Sequence, residues 1–542
     1  MPKAQGRKLV SGRSIRWDDE RAADAYARGW WVPGTLADSL RNAARHTPHR
    51  VAVVDGDRLV DCQSLCAQAT TLAHALQDRI PPGSVVSFML PNWYEAAVIY
   101  LAATLAGMVA NPILPSMRDR ELRFILEDAE SRMIFVPGRF GDHDYPAMLA
   151  RVAAQLQSPP DVVVVRGDLG ADQIPFAPLL DQRAAPGRLP TLNSDAVRMI
   201  LYTSGTTGRP KGVLHSHNSI HALICQIRDH WLVEQGDRFL VASPIAHIGG
   251  SIYAFECPLL LGATAVLLDR WNGDEAVRLM QAERCSHMAG ATPFLEQLLA
   301  AAQRAGTRLP DLRFFVCGGA AVSPPLIRRA TTYFESALVT RVYGSTEVPV
   351  TTIGSPGNPD HAADTDGHAG LADIKIEAGE ILARGPQMLV GYQHREDEAG
   401  AFDAEGFFRT GDLARWVDGE FLVVTGRAKD IIVRNGENIS PKEVEDILAS
   451  HPGVAEVTVV GLPDERTGER ACAVVVPTAA PTDAPGPDSD ITVAGLRRFL
   501  TDSGVARFKA PEQVVIWDVL PKNDAGKVLK HQIKAVLMEA GP

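Results

Sequence analysis

The segment Leu201-Tyr202-Thr203-Ser204-Gly205-Thr206-Thr207-Gly208-Arg209-Pro210-Lys211-Gly212 places two glycines and four hydroxyl side chains just ahead of a lysine. Backbone N–H groups, hydroxyls and an ammonium together suit the oxygens of a polyphosphate. The spacing is not that of a Walker A loop, G-x-x-x-x-G-K-[ST]. The flanks, Val197 to Tyr202 and Gly212 to His215, read as strands, so the loop should join two strands and not open a helix. A plain surface hairpin also collects Ser, Thr and Gly, and on this segment alone that reading stays open. His215, His217 and His221 follow. On a strand His215 and His217 would share a face, but no carboxylate or Cys completes a ligand set, so they are read as structural histidines.

Four more motifs come after the loop. They are Tyr343-Gly344-Ser345-Thr346-Glu347, Phe408-Arg409-Thr410-Gly411-Asp412, Gly426-Arg427-Ala428-Lys429-Asp430 and Pro521-Lys522-Asn523-Asp524-Ala525-Gly526-Lys527. In this order the five motifs resemble the signature set of the acyl-adenylate-forming (AMP-binding) superfamily, which holds acyl-CoA synthetases, adenylation domains of peptide synthetases and luciferases. The resemblance spans about Leu201 to the end of the chain. The N-terminal third shares only a general texture, and residues 1–33 carry no motif.

The resemblance implies that a carboxylate attacks the α-phosphate of ATP and pyrophosphate leaves, a task of alignment and charge neutralisation that needs no protein nucleophile. It assigns Thr203, Ser204, Gly205, Thr206, Thr207, Gly208 and Lys211 to the β- and γ-phosphates, with Thr206 counted as catalytic. Glu347 would hold Mg²⁺ against the phosphates, since that ion favours a carboxylate plus phosphate oxygens. Tyr343 would stack on adenine, with Gly344 and Thr346 of the same motif beside the nucleotide and Gly319, Ala320 and Ala321 as the opposite wall. Asp412 would accept from the ribose hydroxyls, and Arg427 would reach ribose or phosphate. Lys527 would bridge the carboxylate and the α-phosphate where charge develops. Lys522 and Lys530 are read as solvated. The small C-terminal domain would turn about Lys429, offering Lys527 for adenylation and the region of Gly436, Glu437 and Asn438 for thiol entry. Taken singly, Glu347, Asp412 and Arg427 would pass for solvated charges, and Gly319 to Ala321 for a packed turn.

His247 occupies the family's aromatic-or-His position and is assigned to the acyl site, the alternative being a satisfied half-buried histidine. His247 to Ser251, Gly290 to Pro293, Cys317-Gly318 and Val348-Pro349 would line the acyl pocket. They are mostly small or apolar with no group set to pair an amine, which disfavours amino acids. The stretch from Ala246 to Glu347 most resembles short- and medium-chain or alicyclic acyl-CoA synthetases, which implies a fatty or alicyclic acid. No carrier or condensation domain follows Lys527, so CoA is the expected acceptor. Loading of a separate carrier protein's phosphopantetheine is the alternative, and a non-catalytic ATP- or acyl-binding module is a second, against which the intact Glu347, Asp412, Arg427 and Lys527 count.

Positioning such motifs takes a large α/β framework. At 542 residues, with 46% hydrophobic and 22% charged, the chain has ordinary globular composition and exceeds one core. Short β-rich runs (Val51 to Val54, Val85 to Met89, Asp161 to Val165) alternate with helical patterns, the rhythm of α/β layers. The expected fold is therefore α/β, with a multi-layer adenylating domain over residues 1–428, including an extension over 1–33, and a mobile α+β domain over 429–542. Within the latter, Asp430 to Arg434 reads as a strand before an Asn435-Gly436 turn. Ser440, Pro441 and Glu443 read as a capping-box start of a helix to about Ser450. Val454 to Leu462 and Ala471 to Pro477 read as strands and Pro477 to Asp490 as a loop. The apolar window Ala96 to Pro112 is short of the roughly 20 residues a bilayer span needs and is read as a core helix. The net charge of -11 leaves no basic footprint for nucleic acid. The seven cysteines are odd in number without a CxxC pair, and the basic N-terminus lacks an apolar stretch after it, so a cytoplasmic enzyme is expected, with a homodimer as an admissible assembly.

Overall fold

The computed structural model describes residues 6–181, 188–204, 209–319, 322–354, 361–435, 437–464, 466–478, 490–523 and 526–539; of Ser204 only the backbone is described. Two mainly parallel sheets form the large domain. One runs, by residue ranges, in the order 174–175, 161–165, 131–137, 85–88, 109–112, 197–204, 210–216, 391–392. The other runs 338–342, 314–318, 287–290, 238–241, 264–267, 51–55, 58–61. Strands such as Asp161–Val165 and Val85–Phe88 are buried at every position but Asp161, the pattern of strands covered on both faces.

Helix Tyr94–Leu105 is buried at every position and packs with residues of both sheets in one core cluster. Its alanines allow close approach, while Tyr100 stacks on Phe255 with ring centroids 4.5 Å apart. The Ala96 to Pro112 window is thus a helix followed by a strand, Val109–Pro112, and not one helix. Gly107, at φ 69, makes the left-handed turn that divides them.

A third sheet is antiparallel, in the order 352–353, 368–369, 421–427, 408–417, 380–384, 373–377. The small C-terminal domain has its own core of Ile432, Val444, Val459, Val475 and Leu496. Strands Ile432–Arg434 and Glu437–Ile439 pair Arg434 with Glu437, and Asn435 at φ 51 supplies the left-handed turn residue. Ser440 caps helix Pro441–Leu448, which ends two residues before the expected Ser450. Only half of the capping box forms, because Lys509 takes the Glu443 carboxylate at 2.7 Å. The strands there are Val454–Asp464 and Gly468–Pro477, slightly longer than the sequence suggested. Among the described residues no helix is long and apolar enough to cross a membrane.

Candidate active site

The glycine-rich loop joins strands Val197–Ser204 and Pro210–Ser216, which pair antiparallel with Thr203 opposite Lys211. It is the hairpin the flanks implied. Gly205, Thr206, Thr207 and Gly208 lie outside the described residues. Thr203 and Lys211 are half-buried at the two rims. Lys211 stands 3.8 Å from the Asp397 carboxylate, which also takes Arg209 at 2.7 Å. Gly212 is closely packed: a Cβ there would meet Gln393 at 3.0 Å and Ile200 at 3.2 Å, so either neighbour would have to shift.

Tyr343 to Glu347 turn sharply after strand Leu338–Val342. Gly344 has no room for a side chain, since a Cβ would lie 2.6 Å from the Val350 nitrogen. The His215 ring nitrogen Nε2 is 2.8 Å from the Thr346 carbonyl, and as that partner only accepts, Nε2 carries the proton. Burial lowers the His215 pKa from 6.5 to about 4, so the ring is neutral at pH 7. His215 and His217 do not share a strand face: the strand ends at Ser216, and His217 is the first residue of helix His217–His230. The Tyr392 hydroxyl donates to Glu347 Oε1 at 3.0 Å, and burial beside that carboxylate raises the phenol's pKa.

Asp412 and Arg427 come from adjacent strands, Phe408–Val417 and Phe421–Arg427, and are register partners. Asp412 is buried, with Arg427 Nε at 2.8 Å and the Tyr343 hydroxyl donating at 2.8 Å. The structure therefore brings together the three residues assigned to adenine and ribose. Gly319 has φ 81, a left-handed position that favours glycine; Ala320 and Ala321 lie outside the described residues.

Lys527 joins this group from the other domain. Its loop is closed by Asn523, which accepts from the Lys527 backbone at 2.8 Å. Gly526, at φ 77, packs against Pro293 so closely that a Cβ would lie 3.0 Å from that ring. The Lys527 side chain reaches solvent yet has protein on most sides. Burial first, then the nearby Arg427 and Lys429, lower its ammonium to about 8, against the pull of Asp412 and Asp430. Lys522 and Lys530 are ion-paired rather than solvated, to Glu456 at 2.6 Å and Glu445 at 2.7 Å. Glu437 and Asn438 are exposed on their hairpin, and Gly436 lies outside the described residues. Lys429 is exposed in the short turn Ala428–Asp430 between the domains.

His247 is half-buried and caps the short helix Ile248–Ser251, its carbonyl accepting from the Ser251 N–H at 2.9 Å. Gly250 is obligatory, as a Cβ would collide with the Pro244 carbonyl. Cys317 is buried, and Gly318 lies against Val342. A cavity of about 620 Å³ opens beside the His247 loop, sharing Pro244 with it and Phe294 with the helix after Gly290-Ala291, and lined also by Arg118, His143, Arg270 and Trp271. None of the residues assigned to the nucleotide is among those that line it. Sequence reasoning missed Tyr392 and Asp397. A two-residue strand has no periodicity, and Asp397 lies in a charged run that reads as solvated surface.

The sequence matches the AMP-binding enzyme family over residues 40–393 and the AMP-binding enzyme C-terminal domain over residues 443–527. The medium-chain fatty-acid–CoA ligase of Escherichia coli is 33% identical, with 97% of this chain and 94% of that protein covered. The 2,3-dihydroxybenzoate–AMP ligase of Bacillus subtilis is 30% identical, with 96% and 97% covered. The crystal structure of ATP-bound MatB from Rhodopseudomonas palustris superposes with a TM-score of 0.80 at 26% identity, covering 92% of this chain and 98% of that one. A shared fold, both domain matches and full-length relatives at this identity show that the chain belongs to the AMP-binding enzyme family and is an acyl-adenylate-forming enzyme.

Proposed function

We propose that the protein joins a short- or medium-chain fatty or alicyclic acid to CoA through an acyl-adenylate. The observation that carries the reading is the meeting of Lys527, from the small domain, with Asp412 and Arg427 of the large one. In the first step a carboxylate oxygen bonds to the α-phosphorus as the bond to pyrophosphate breaks. Lys527 neutralises charge on both reacting groups, Thr206 and Lys211 hold the departing phosphates, and Asp412 and Tyr343 fix the nucleoside. In the second step the thiol sulfur bonds to the acyl carbon, AMP leaves with the bonding pair, and the thiol proton passes to solvent. Rotation about Lys429, between domains spanning residues 1–428 and 429–542, would exchange Lys527 for the Gly436 to Asn438 hairpin between the steps.

Glu347 fits Mg²⁺. It is a lone carboxylate oriented by Tyr392, and among the described residues no cluster of three His, Cys, Asp or Glu side chains comes together. An ion there would take its other ligands from nucleotide and water, the usual arrangement for magnesium, and would supply charge neutralisation at the phosphates.

The acid assignment rests on the apolar lining and on Gln226. The oxygen of this buried amide already accepts from the Leu371 N–H and its nitrogen donates to the Val350 carbonyl at 2.7 Å, which leaves it a poorer partner for an amine. CoA is favoured by the likeness to a medium-chain fatty-acid–CoA ligase. The cavity beside His247 is lined by Arg118 and Arg270 but equally by Asp142 and Asp269, and favours neither acceptor. Likeness to an AMP ligase keeps carrier-protein loading as the second reading. Pyrophosphate release with ATP and Mg²⁺ over fatty, alicyclic and aromatic acids, with and without CoA, tests both. Release stimulated by CoA with a fatty or alicyclic acid is expected. Release indifferent to CoA favours the carrier, and an aromatic preference overturns the acid class.

A further inference from the structure

Residues before Leu36 lie outside the family match, and the proposed reaction does not use them. Residues 6–17 of this segment nevertheless pack against the edge of the sheet that carries the phosphate loop. Strands Gly6–Val10 and Arg13–Trp17 form a hairpin whose turn residues, Ser11 and Gly12, have φ 47 and 84. Val10 and Ile15 are buried against Val197, Ile200, Leu214 and Val390. The hairpin remains a separate two-stranded sheet, but its Arg16 N–H donates to the Val390 carbonyl at 2.7 Å, just before the two-residue edge strand Gly391–Tyr392.

Three arginines of this strap grip the segment that follows. Arg13 donates to Gln393 at 3.1 Å. Arg7 and Arg16 converge on the Glu398 carboxylate at 2.9 and 3.1 Å, with Glu398 only 10% exposed, and the Arg16 guanidinium stacks 3.4 Å above the Phe402 ring. The gripped segment in turn holds the nucleotide site. The Gln393 N–H donates to the Gly212 carbonyl at 2.8 Å, Tyr392 donates to Glu347, and Asp397 pairs with Arg209 and faces Lys211. Asp397 and Glu398 are neighbours on one short turn, Arg395–Glu398. One carboxylate is therefore fixed by the strap, and the adjacent one holds the cations of the loop.

We propose that residues 6–17 are a positioning element of the nucleotide site: Arg7 and Arg16 set Glu398, and through its neighbour Asp397 they hold Arg209 and Lys211 at the spacing the ATP phosphates require. The inference rests on the reading of Lys211 as a phosphate ligand. Two long cationic side chains ordered before ATP arrives lose less freedom when it binds, so the strap acts on ATP and not on the acid. A strap that only stabilised the fold would shift the thermal midpoint and the active fraction but leave the KM for ATP unchanged.

The test is ATP–pyrophosphate exchange with the full chain, beside thermal unfolding, for Arg7→Ala/Arg16→Ala, Arg16→Lys, Glu398→Gln and Lys211→Ala. The double variant is expected to raise the KM for ATP roughly tenfold with the KM for the acid held within about twofold. Arg16→Lys, which keeps a cation opposite Glu398, should stay within about threefold, and adding Glu398→Gln to the double variant should change little more. If the double variant does not fold, Arg16→Ala alone carries the same readout. An unchanged KM for ATP, or KM values for ATP and acid that rise together, overturns the strap's role provided Lys211→Ala raises the KM for ATP. If Lys211→Ala leaves it unchanged, the phosphate-loop reading fails instead.

Discussion

The two halves of the active site are held in different ways. Around Tyr343 to Glu347 local bonds between Ser345 and Val348 and between Tyr343 and Thr352 are reinforced by anchors distant in sequence: His215 holds the Thr346 carbonyl, Tyr392 holds the Glu347 carboxylate, and the Leu389 N–H holds the Glu347 carbonyl at 2.7 Å. The Lys527 loop is closed by itself, with Gly526 N–H on the Asn523 carbonyl and Asn523 N–H on the Lys527 carbonyl, at 2.8 and 2.9 Å. It meets the large domain through Gly526 against Pro293 and through charge. Groups proposed to bind the nucleotide are thus preset by wide packing, whereas the group proposed to act on the reacting atoms would keep its shape on leaving.

The sharpest way to break this contrast is Lys527→Ala. It should lower acyl-adenylate formation by about 10²–10³-fold while thioester formation from supplied acyl-adenylate persists. Equal loss of both steps, measured by pyrophosphate release and by single-turnover thioester assay, would place the lysine in a merely structural role. Lys429→Pro should do the converse, sparing adenylation and slowing thioester formation by about tenfold or more, since fixing φ there stiffens the hinge. Thioester formation at the parent rate would remove Lys429 from the hinge.

A pH profile sharpens the same contrast. In the proposed role the protonated Lys527 would be the active form, and burial holds its ammonium at about 8, below the ordinary 10.5. Adenylation kcat/KM should therefore fall as pH rises through about 8, by up to roughly tenfold per unit above it. The limb in kcat should lie higher, because bound ATP adds negative charge beside the ammonium. Lys527→Arg should remove the limb, and a limb that survives this change would belong to another group.

Much of this was legible in the sequence where the cause is local. The hairpin of the phosphate loop and the Asn435 turn follow from short strand-like runs broken by turn residues. The pairing of Asp412 with Arg427 was not legible, because it depends on strand register across the intervening turn. Nor was the strap, whose ion pair from Arg7 to Glu398 joins residues 391 apart in sequence. Lys522 and Lys530 were misjudged for the same reason: their carboxylates, Glu456 and Glu445, are brought near only by the folded C-terminal sheet.

The smallest expected effect tests how firmly the preset half is held. His215 is buried and neutral, its pKa lowered from 6.5 to about 4, so the unfolded chain binds a proton that the folded one refuses across that range. Its contribution to stability is complete above about 6.5 and is lost as pH falls towards 4. His215→Gln keeps an N–H for the Thr346 carbonyl and does not titrate. It should therefore change the KM for ATP by only about threefold or less while flattening part of the acid-side fall in the thermal midpoint. An unaltered acid dependence would assign that sensitivity to other groups, of which the buried His217, also lowered by burial, is the first to examine. A large rise in the KM for ATP would show that the imidazole's shape, and not merely its hydrogen bond, sets the Tyr343 to Glu347 turn.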